Sequence, residues 1–166
     1  MEMNTHNAAQ EPALSLTESF LKSLSLLEQA HRRLHDVVKD DLERSGERNL
    51  TGVQALLIYE IGEDETPASA LRARGAFAGT SLSYNVKKLQ EGGYLTQTRS
   101  KADKRTVHLS LTERGLKVRN RVAGLFDKQA GALEPTASVR HNDLDQFNKT
   151  VSRLERFWSD QIRYRL

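Results

Sequence analysis

The sequence predicts a mainly α-helical fold with one small β-hairpin, and three observations lead to that prediction. Long segments near both ends of the chain repeat apolar residues at spacings of three and four, which is typical of amphipathic helices. Two short helical segments in the middle are bounded by glycine-containing turns. After Gly93 the apolar period changes from that of a helix to the alternation of a strand. We therefore expect a small helix–hairpin domain between two long terminal helices.

A long first helix is predicted between Ser15 and Ser45, a stretch that contains neither glycine nor proline. A helix of this length extends about 45 Å, so much of it must project from a domain of ordinary size. We assign residues 14–47 to a dimerisation helix and the polar, patternless residues 1–13 to a disordered tail. The apolar seam of the helix consists of Phe20, Leu24, Leu27, His31, Leu34, Val38 and Leu42.

Residues 116–166 are predicted to form helices that complete the dimerisation domain. One helix runs from Thr112 to about Ala132 and is broken at residues 133–135, a Leu-Glu-Pro run. The last helix is capped by Asn142 or Asp143, and its seam consists of Leu144, Phe147, Val151, Leu154, Trp158 and Ile162. Because neither terminal helix can bury its seam on so small a middle region, we expect an intertwined homodimer. A monomeric helical bundle is the alternative.

The middle of the chain contains three predicted short helices. The first spans residues 50–61 and is capped by Thr51. The second starts at residues 66–67, with the threonine as N-cap and the proline at the first helical position, and it ends near Gly75. The third spans residues 79–92. The last two, joined by a tight turn with glycine, are a helix-turn-helix pair.

A β-hairpin follows the third short helix. Residues 94–99 and 106–111 alternate as strands, and residues 100–105 form a charged turn between them. A helix-turn-helix followed by a basic hairpin is a winged helix-turn-helix, which we assign to residues 48–115 as a DNA-binding domain.

The positive charge of the chain is concentrated in its middle third. Between Thr66 and Arg121 there are 12 Lys and Arg against 3 Asp and Glu, whereas the rest of the chain has 13 basic and 19 acidic residues. A basic region with acidic flanks is the electrostatic footprint of a nucleic-acid binder. A solvated basic helix face is the alternative interpretation of the same charges.

The third short helix is predicted to present a polar face to the major groove of DNA. Leu82, Val86 and Leu89 cluster within about 60° of the helical wheel and must face the core. Hydroxyl and phenol groups bind base edges or phosphates, and ammonium groups bind phosphates or guanine. The predicted DNA-contacting residues of this helix are Thr80, Ser81, Ser83, Tyr84, Lys87 and Lys88.

The hairpin supplies the second set of predicted DNA contacts, which are Arg99, Lys101, Asp103, Lys104 and Arg105. A narrow minor groove has an enhanced negative potential that attracts an inserted arginine, and Arg105 is well placed for that role. Because a free carboxylate would be repelled by DNA, we expect Asp103 to accept hydrogen bonds from a wing arginine and to fix its guanidinium. A simple turn role for Asp103 is the alternative.

These residues resemble the MarR family of winged-helix regulators over residues 50–115. The resemblance implies a dimer built from both terminal helices, an inverted-repeat binding site near a promoter, and in many cases release by a small ligand. It also implies that Arg105 is the minor-groove arginine and Asp103 its partner. The matching pieces are Leu50-Thr51, Ser83 through Leu89 with Gly92, Arg99, Asp103-Lys104-Arg105, and Leu109-Ser110-Leu111-Thr112-Glu113-Arg114-Gly115.

An input signal is expected from a small aromatic or acidic effector, bound in a crevice lined by the first helix, by helix 51–61 and by the helix after the wing. His31, Arg32 and His35 are the candidate ligand-binding residues. Two histidines at i and i+4 can share a metal ion, but a third ligand is not evident in the sequence. We therefore expect no metal site, with His31 hydrogen-bonded on the seam and His35 exposed.

Several functional classes have little support in the sequence. The chain has no cysteine, no apolar run long enough to span a membrane and no signal-like start, so the bacterial cytoplasm and its nucleoid are the expected location. No phosphate loop, nucleophile elbow or zinc-protease motif is present, so neither enzyme activity nor a cofactor is expected. The expected function is sequence-specific regulation of transcription, by repression. An architectural or protein-interaction winged helix and a metal-responsive regulator are the alternatives.

Overall fold

The structure is a computed structural model that describes residues 14–73, 80–99 and 106–164. The described part is mainly α-helical with a small antiparallel sheet of strand order β1-β3-β2, which confirms the predicted fold class. The chain divides into two compact units, Met1–Leu56 and Leu57–Leu166. The elements in chain order are α1 (Leu16–Arg44), α2 (Gly52–Ile61), β1 (Thr66–Pro67), α3 (Ala68–Ala73), α4 (Thr80–Glu91), β2 (Leu95–Arg99), β3 (Val107–Leu111), α5 (Glu113–Ala137) and α6 (His141–Tyr164).

Helix α1 begins with a reciprocal cap and confirms the predicted long first helix. The Ser15 hydroxyl accepts a hydrogen bond from the Glu18 N–H at 3.2 Å, and the Glu18 carboxylate accepts one from the Ser15 N–H at 2.8 Å. The bond from the Ser15 backbone N–H is the main cause that lowers the pKa of Glu18. Toward the C-terminal end of the helix, Val38 and Leu42 are buried.

Helix α2 starts against the middle of α1. The Thr51 hydroxyl caps it by accepting from the Gln54 N–H at 3.2 Å, as predicted. A Cβ added at Gly52 would lie 2.3 Å from the backbone oxygen of His35, which is far inside van der Waals contact. Only glycine allows the two helices to approach this closely at that point.

The predicted helix start at Thr66 and Pro67 is wrong, because these two residues form strand β1. They pair with β3, with Thr66 opposite Leu109 and Pro67 opposite His108. A proline is tolerated in a short edge strand because its missing N–H need not face a partner. The Thr66 hydroxyl donates to the backbone oxygen of Ile61 at 2.9 Å, which ties the strand to the end of α2. Helix α3 therefore begins one residue later, at Ala68.

The predicted break at Pro135 is also wrong, because α5 continues through this proline to Ala137. A proline removes the hydrogen bond to the residue four positions before it, here Gly131, and Pro135 is only the third residue from the end of the helix. The helix ends at Ser138, which has the left-handed φ of 55° and donates its N–H to the Glu134 carbonyl.

Helix α6 begins at His141, one turn before the predicted start of the C-terminal seam. The Arg140 N–H donates to the Asp143 carboxylate at 2.9 Å, so Asp143 caps the helix from within its first turn. Within His141–Tyr164 no residue is buried, and the exposed large apolar side chains include Phe147, Phe157 and Ile162. Among the helices of the described ranges, none is long and apolar enough to cross a membrane.

Candidate nucleic-acid interface

Helix α4 buries the face that the sequence assigned to the core. Leu82, Val86 and Leu89 are 1 %, 7 % and 1 % exposed, which confirms the predicted orientation of the helix. Asn85 is 8 % exposed beside them, and its side-chain amide donates to the Ser81 carbonyl at 2.9 Å. The opposite face is therefore the one that α4 presents to solvent.

The outward face of α4 brings together most of the predicted major-groove residues. Ser81, Ser83, Tyr84, Lys87 and Lys88 are all exposed. Tyr84 is 61 % exposed, which is unusual for an aromatic side chain with no apolar neighbour to cover it. Thr80 is the first residue of α4, and its side chain lies outside the described part of the chain.

The two lysines of this face share one carboxylate. The ammonium groups of Lys88 and Lys87 lie 2.9 Å and 3.9 Å from the carboxylate of Glu91. The hydrogen bond between Lys88 and Glu91 raises the pKa of Lys88 and lowers the pKa of Glu91, so both remain ionised. These exposed pairs are weak, and DNA phosphates can replace Glu91 as the partner of either lysine.

Polar contacts with neighbouring elements fix the position of α4. The Arg72 guanidinium of α3 donates to the Ser83 hydroxyl at 3.4 Å. At the other end of the helix, the Gln97 amide of β2 donates to the Gln90 side-chain oxygen at 2.8 Å. Helix α4 is thus bonded to α3 through Ser83 and to the hairpin through Gln90.

The start of α5 locks the turn between α4 and β2, and we call this contact the α5 lock. The Thr112 hydroxyl donates to the Gly93 carbonyl at 2.7 Å and accepts from the Gly115 N–H at 3.2 Å. The Arg114 guanidinium donates to the Gly92 carbonyl at 3.1 Å and lies 4.2 Å from the centre of the Tyr94 ring. The family-like run from Leu109 to Gly115 therefore has a structural role.

Gly115 lies at the closest approach within the α5 lock. A Cβ added at this residue would lie 2.1 Å from the Tyr94 carbonyl oxygen. Because that oxygen belongs to the backbone, it cannot rotate away as the end of a flexible side chain can. The glycine permits α5 to start directly against the residue that leads into β2.

The strands of the hairpin are described, and its tip is not. Residues of β2 and β3 pair in antiparallel register from Leu95 opposite Leu111 to Arg99 opposite Val107, which confirms the predicted hairpin. Arg99 is exposed at the end of β2. The predicted DNA contacts Lys101, Asp103, Lys104 and Arg105 lie outside the described residues.

Glu65, directly before β1, contacts both strands of the hairpin. Its carboxylate accepts a hydrogen bond from the Thr98 hydroxyl at 2.7 Å and lies 3.9 Å from the His108 ring nitrogen Nδ1. Thr98 and His108 are directly opposite each other in the register. One carboxylate therefore holds a cross-strand pair near the outer end of the described hairpin.

Known proteins share both the domain and the fold. Residues 50–115 match a family model described as a winged helix DNA-binding domain. The chain is 30% identical over 151 residues to the exopolysaccharide II synthesis transcriptional activator ExpG of Rhizobium meliloti, with 88% of this chain and 75% of ExpG covered. AbsC of Streptomyces coelicolor, a MarR family transcriptional regulator, superposes with a TM-score of 0.67 at 18% identity, with 91% of this chain and 100% of AbsC covered.

The chain belongs to the MarR family of transcriptional regulators. It is accordingly a DNA-binding transcriptional regulator with a winged helix. A solved structure of the same fold is a mutant of MarR from E. coli complexed with operator DNA. It has a TM-score of 0.66 at 14% identity, and the match covers 85% of this chain and 99% of that one.

The candidate effector residues of this MarR-family regulator lie on one stretch of α1. Arg32 is exposed, and its guanidinium donates to the Glu28 carboxylate at 2.9 Å. The expectation for the two histidines is reversed, because His31 is exposed and His35 is half-buried. Burial is the main cause that lowers the pKa of His35, and the proximity of His31 is the second. The start of α2 covers α1 at His35, which the helical pattern of α1 alone does not reveal.

Three functionally placed residues were missed by the sequence interpretation. Glu65 follows other acidic residues, and nothing in its neighbourhood in the sequence indicates a contact with residues 98 and 108. The sequence likewise gives no signal for the contact of Arg72 with Ser83. Arg114 was identified only as part of the family-like motif. Its place in that motif was a signal of importance, but it did not indicate the contacts with Gly92 and Tyr94.

Substitution of Glu65 by alanine is expected to loosen the hairpin. Loss of one charge-assisted hydrogen bond at a half-exposed site costs about 1 kcal/mol of stability at most. Amide hydrogen exchange in β2 and β3 should quicken, and affinity for a DNA site should fall about two- to fivefold because the wing is less well positioned. Asp64→Ala, at the neighbouring acidic residue, is the control. Unchanged exchange in the hairpin of Glu65→Ala would contradict the role given to this carboxylate.

Proposed function

We propose that this regulator binds an inverted repeat in promoter DNA as a homodimer, with α4 in the major groove and the wing in the adjacent minor groove. The observation that supports this most is the division of α4 into a buried aliphatic face and an exposed face of hydroxyls, a phenol and ammonium groups. Such a face matches base edges and phosphates, whereas a protein-interaction face would expose apolar side chains. In this proposal Arg105 enters the minor groove and Asp103 orients it.

The proposed homodimer is supported by the apolar surface on the terminal helices. On α1, Leu16, Phe20, Leu21 and Leu26 are exposed, and α6 has no buried residue. Large apolar side chains left exposed on two long helices favour an interface with a second chain. A two-fold dimer would place its two α4 helices on half-sites about one turn of DNA, roughly 10 bp, apart.

Whether the regulator represses or activates depends on where its DNA site lies. A dimer bound within the promoter blocks RNA polymerase, whereas a dimer bound upstream of the promoter leaves the polymerase site open. Repression is our proposal for a site that overlaps the promoter. The relative ExpG is named an activator. A reporter with the site at either position measures the sign directly. We place this activity in the bacterial cytoplasm, at the nucleoid.

A small aromatic or acidic effector completes the proposed function, with His31, Arg32 and His35 as candidate residues on α1. A second candidate effector site, separate from the α1 residues, is a cavity of about 350 Å³ in the second unit, between α3, α4 and the hairpin strands. That volume is within the range of small-molecule sites, about 300–1,000 Å³. Arg72 and Ser83 line it, so an acid bound there would compete for the side chains that position α4.

The experiment that tests the proposed function is fluorescence anisotropy on a labelled duplex from the region upstream of the gene. Salt is titrated, and a scrambled duplex is measured beside it. We expect two chains per site and at least about 10³-fold preference for the native duplex. Equal, salt-sensitive binding to both duplexes would contradict sequence-specific regulation and favour an architectural role.

Lys87→Ala is expected to weaken binding to the native duplex about three- to tenfold and to lower the salt slope by about one, because a phosphate contact is lost. The control is Lys149→Ala on α6. Lys149 is 70% exposed and pairs with an acidic residue four positions away, much as Lys87 is 75% exposed and pairs with Glu91. Equal losses in the two variants would show that general charge, and not the α4 face, causes the effect.

A further inference from the structure

The two histidines of α1 place their outer ring nitrogens against each other. The Nε2 atoms of His31 and His35 are 3.0 Å apart, and the rings are nearly perpendicular with centroids 4.4 Å apart. In the metal-free chain one imidazole can donate its proton to the other across this distance. The same distance is also that of two nitrogens bound to one metal ion.

We propose that His31 and His35 form a chelating site for a divalent transition-metal ion of tetragonal preference, with Cu²⁺ as the best fit and Ni²⁺ next. The site uses two protein nitrogens, and water or another exogenous ligand fills the open positions. It requires neither the DNA site nor the homodimer of the proposed function. It assigns His31 and His35 to a metal ion in place of the aromatic or acidic effector, and it reverses the expectation from the sequence that this pair holds no metal.

The distance between the nitrogens selects among metal ions. Metal–imidazole bonds are about 2.05 Å long, so two nitrogens in cis positions at 90° are about 2.9 Å apart, and two in a tetrahedral site about 3.3 Å apart. The observed 3.0 Å matches the first geometry. Square-planar or tetragonal coordination by nitrogen is typical of Cu²⁺ and Ni²⁺, and Cu²⁺ has the highest affinity in the divalent series.

The surroundings of the pair allow a cation to bind. The two arginines nearest in sequence are neutralised, since Arg32 donates to Glu28 at 2.9 Å and Arg33 to Asp36 at 3.3 Å. Nδ1 of His35 is buried, so Nε2 is the nitrogen that this ring presents at the surface. His31 is exposed, which leaves the ion accessible from solvent.

The backbone at one of the two ligands is packed before metal binds. The close approach of Gly52 to the carbonyl of His35 sets that turn of α1 against the start of α2. His35 is half-buried there, whereas the His31 ring is exposed and free to adjust to the ion. Within the described ranges no group of three or more His, Asp or Glu side chains is placed to hold a metal ion, which is why the site has two protein ligands.

The test is titration of the full-length chain with Cu²⁺ in a buffer that does not chelate metals, followed by calorimetry and electron paramagnetic resonance. We expect one ion per chain at this site and a spectrum with two imidazole nitrogens in the equatorial plane. His31→Gln, at an exposed residue, should weaken this binding at least about tenfold, because the chelate becomes a single ligand.

The controls separate this pair from the other three histidines of the chain. His141→Gln removes an exposed histidine of α6, and His6→Gln removes one near the N-terminus; both should bind Cu²⁺ as the parent does. Parent-like binding by His31→Gln, or a parent spectrum with fewer than two nitrogen ligands, would overturn the proposal. Because the spectrum is recorded on the unaltered chain, a folding defect in a variant cannot hide that outcome.

Discussion

Gly115→Ala is expected to lower the free energy of unfolding by about 2–4 kcal/mol. The added methyl group would lie 2.1 Å from the Tyr94 carbonyl oxygen, and relief requires the start of α5 to move away from β2. That movement also breaks the bonds from Thr112 to Gly93 and from Arg114 to Gly92. Because the α5 lock positions the turn after α4, DNA affinity should fall even where the variant remains folded.

The measurement is urea denaturation at a fixed chain concentration, since the stability of an oligomer depends on concentration. Gly131→Ala is the matched control in the same helix, where an added Cβ meets nothing within 4 Å. That variant should be neutral or more stable by about 0.5–1 kcal/mol, because alanine is the better helix former. A Gly115→Ala chain as stable as the parent would show that α5 starts elsewhere in solution.

Arg105→Ala is expected to lower affinity for the DNA site about 10- to 100-fold at matched salt and to reduce the salt slope by about one. The expectation comes from the family motif, in which the arginine after Asp103 and Lys104 enters the minor groove. A guanidinium in a narrow groove replaces counterions and gains from the focused negative potential. Anisotropy over a salt series measures both quantities on one set of samples.

Two controls accompany this variant. Arg44→Ala removes an exposed arginine of α1, which is paired with Asp40, and it should change affinity less than about twofold. Asp103→Ala should cost less than Arg105→Ala, because in our proposal Asp103 only orients the guanidinium, and it should leave dimerisation intact. Parent-like affinity of Arg105→Ala would show that the wing assignment is wrong.

The elements that sequence reasoning predicted well are those whose signal is local. The long first helix, the cap at Thr51 and the inward face of α4 follow from residues within one or two helical turns of each other. The change of period after Gly93 gave the hairpin for the same reason. In each case the residues that decide the structure are neighbours in the sequence.

The errors arise where a distant residue decides the outcome. Thr66 and Pro67 have the local pattern of a helix start, but pairing with Leu109 and His108 makes them a strand. The same limit applies to the functional site. The hydrogen bond from Thr98 to Glu65 joins residues 33 positions apart. The burial of His35 depends on the close approach of Gly52. The helical wheel predicted the outward position of Lys87 and Lys88, which are exposed, but it did not indicate that both share the carboxylate of Glu91.

The exposed apolar side chains of α6 affect how target genes respond to the amount of regulator in the cell. No residue of this helix is buried within its own chain, and Phe147, Phe157 and Trp158 are exposed. If assembly of two copies covers the seam, the concentration of assembled regulator at low expression rises with the square of the chain concentration. A twofold increase in synthesis then gives about a fourfold increase in occupied operator. The response of the target genes to the regulator's own expression would thus be steeper than proportional, without any effector.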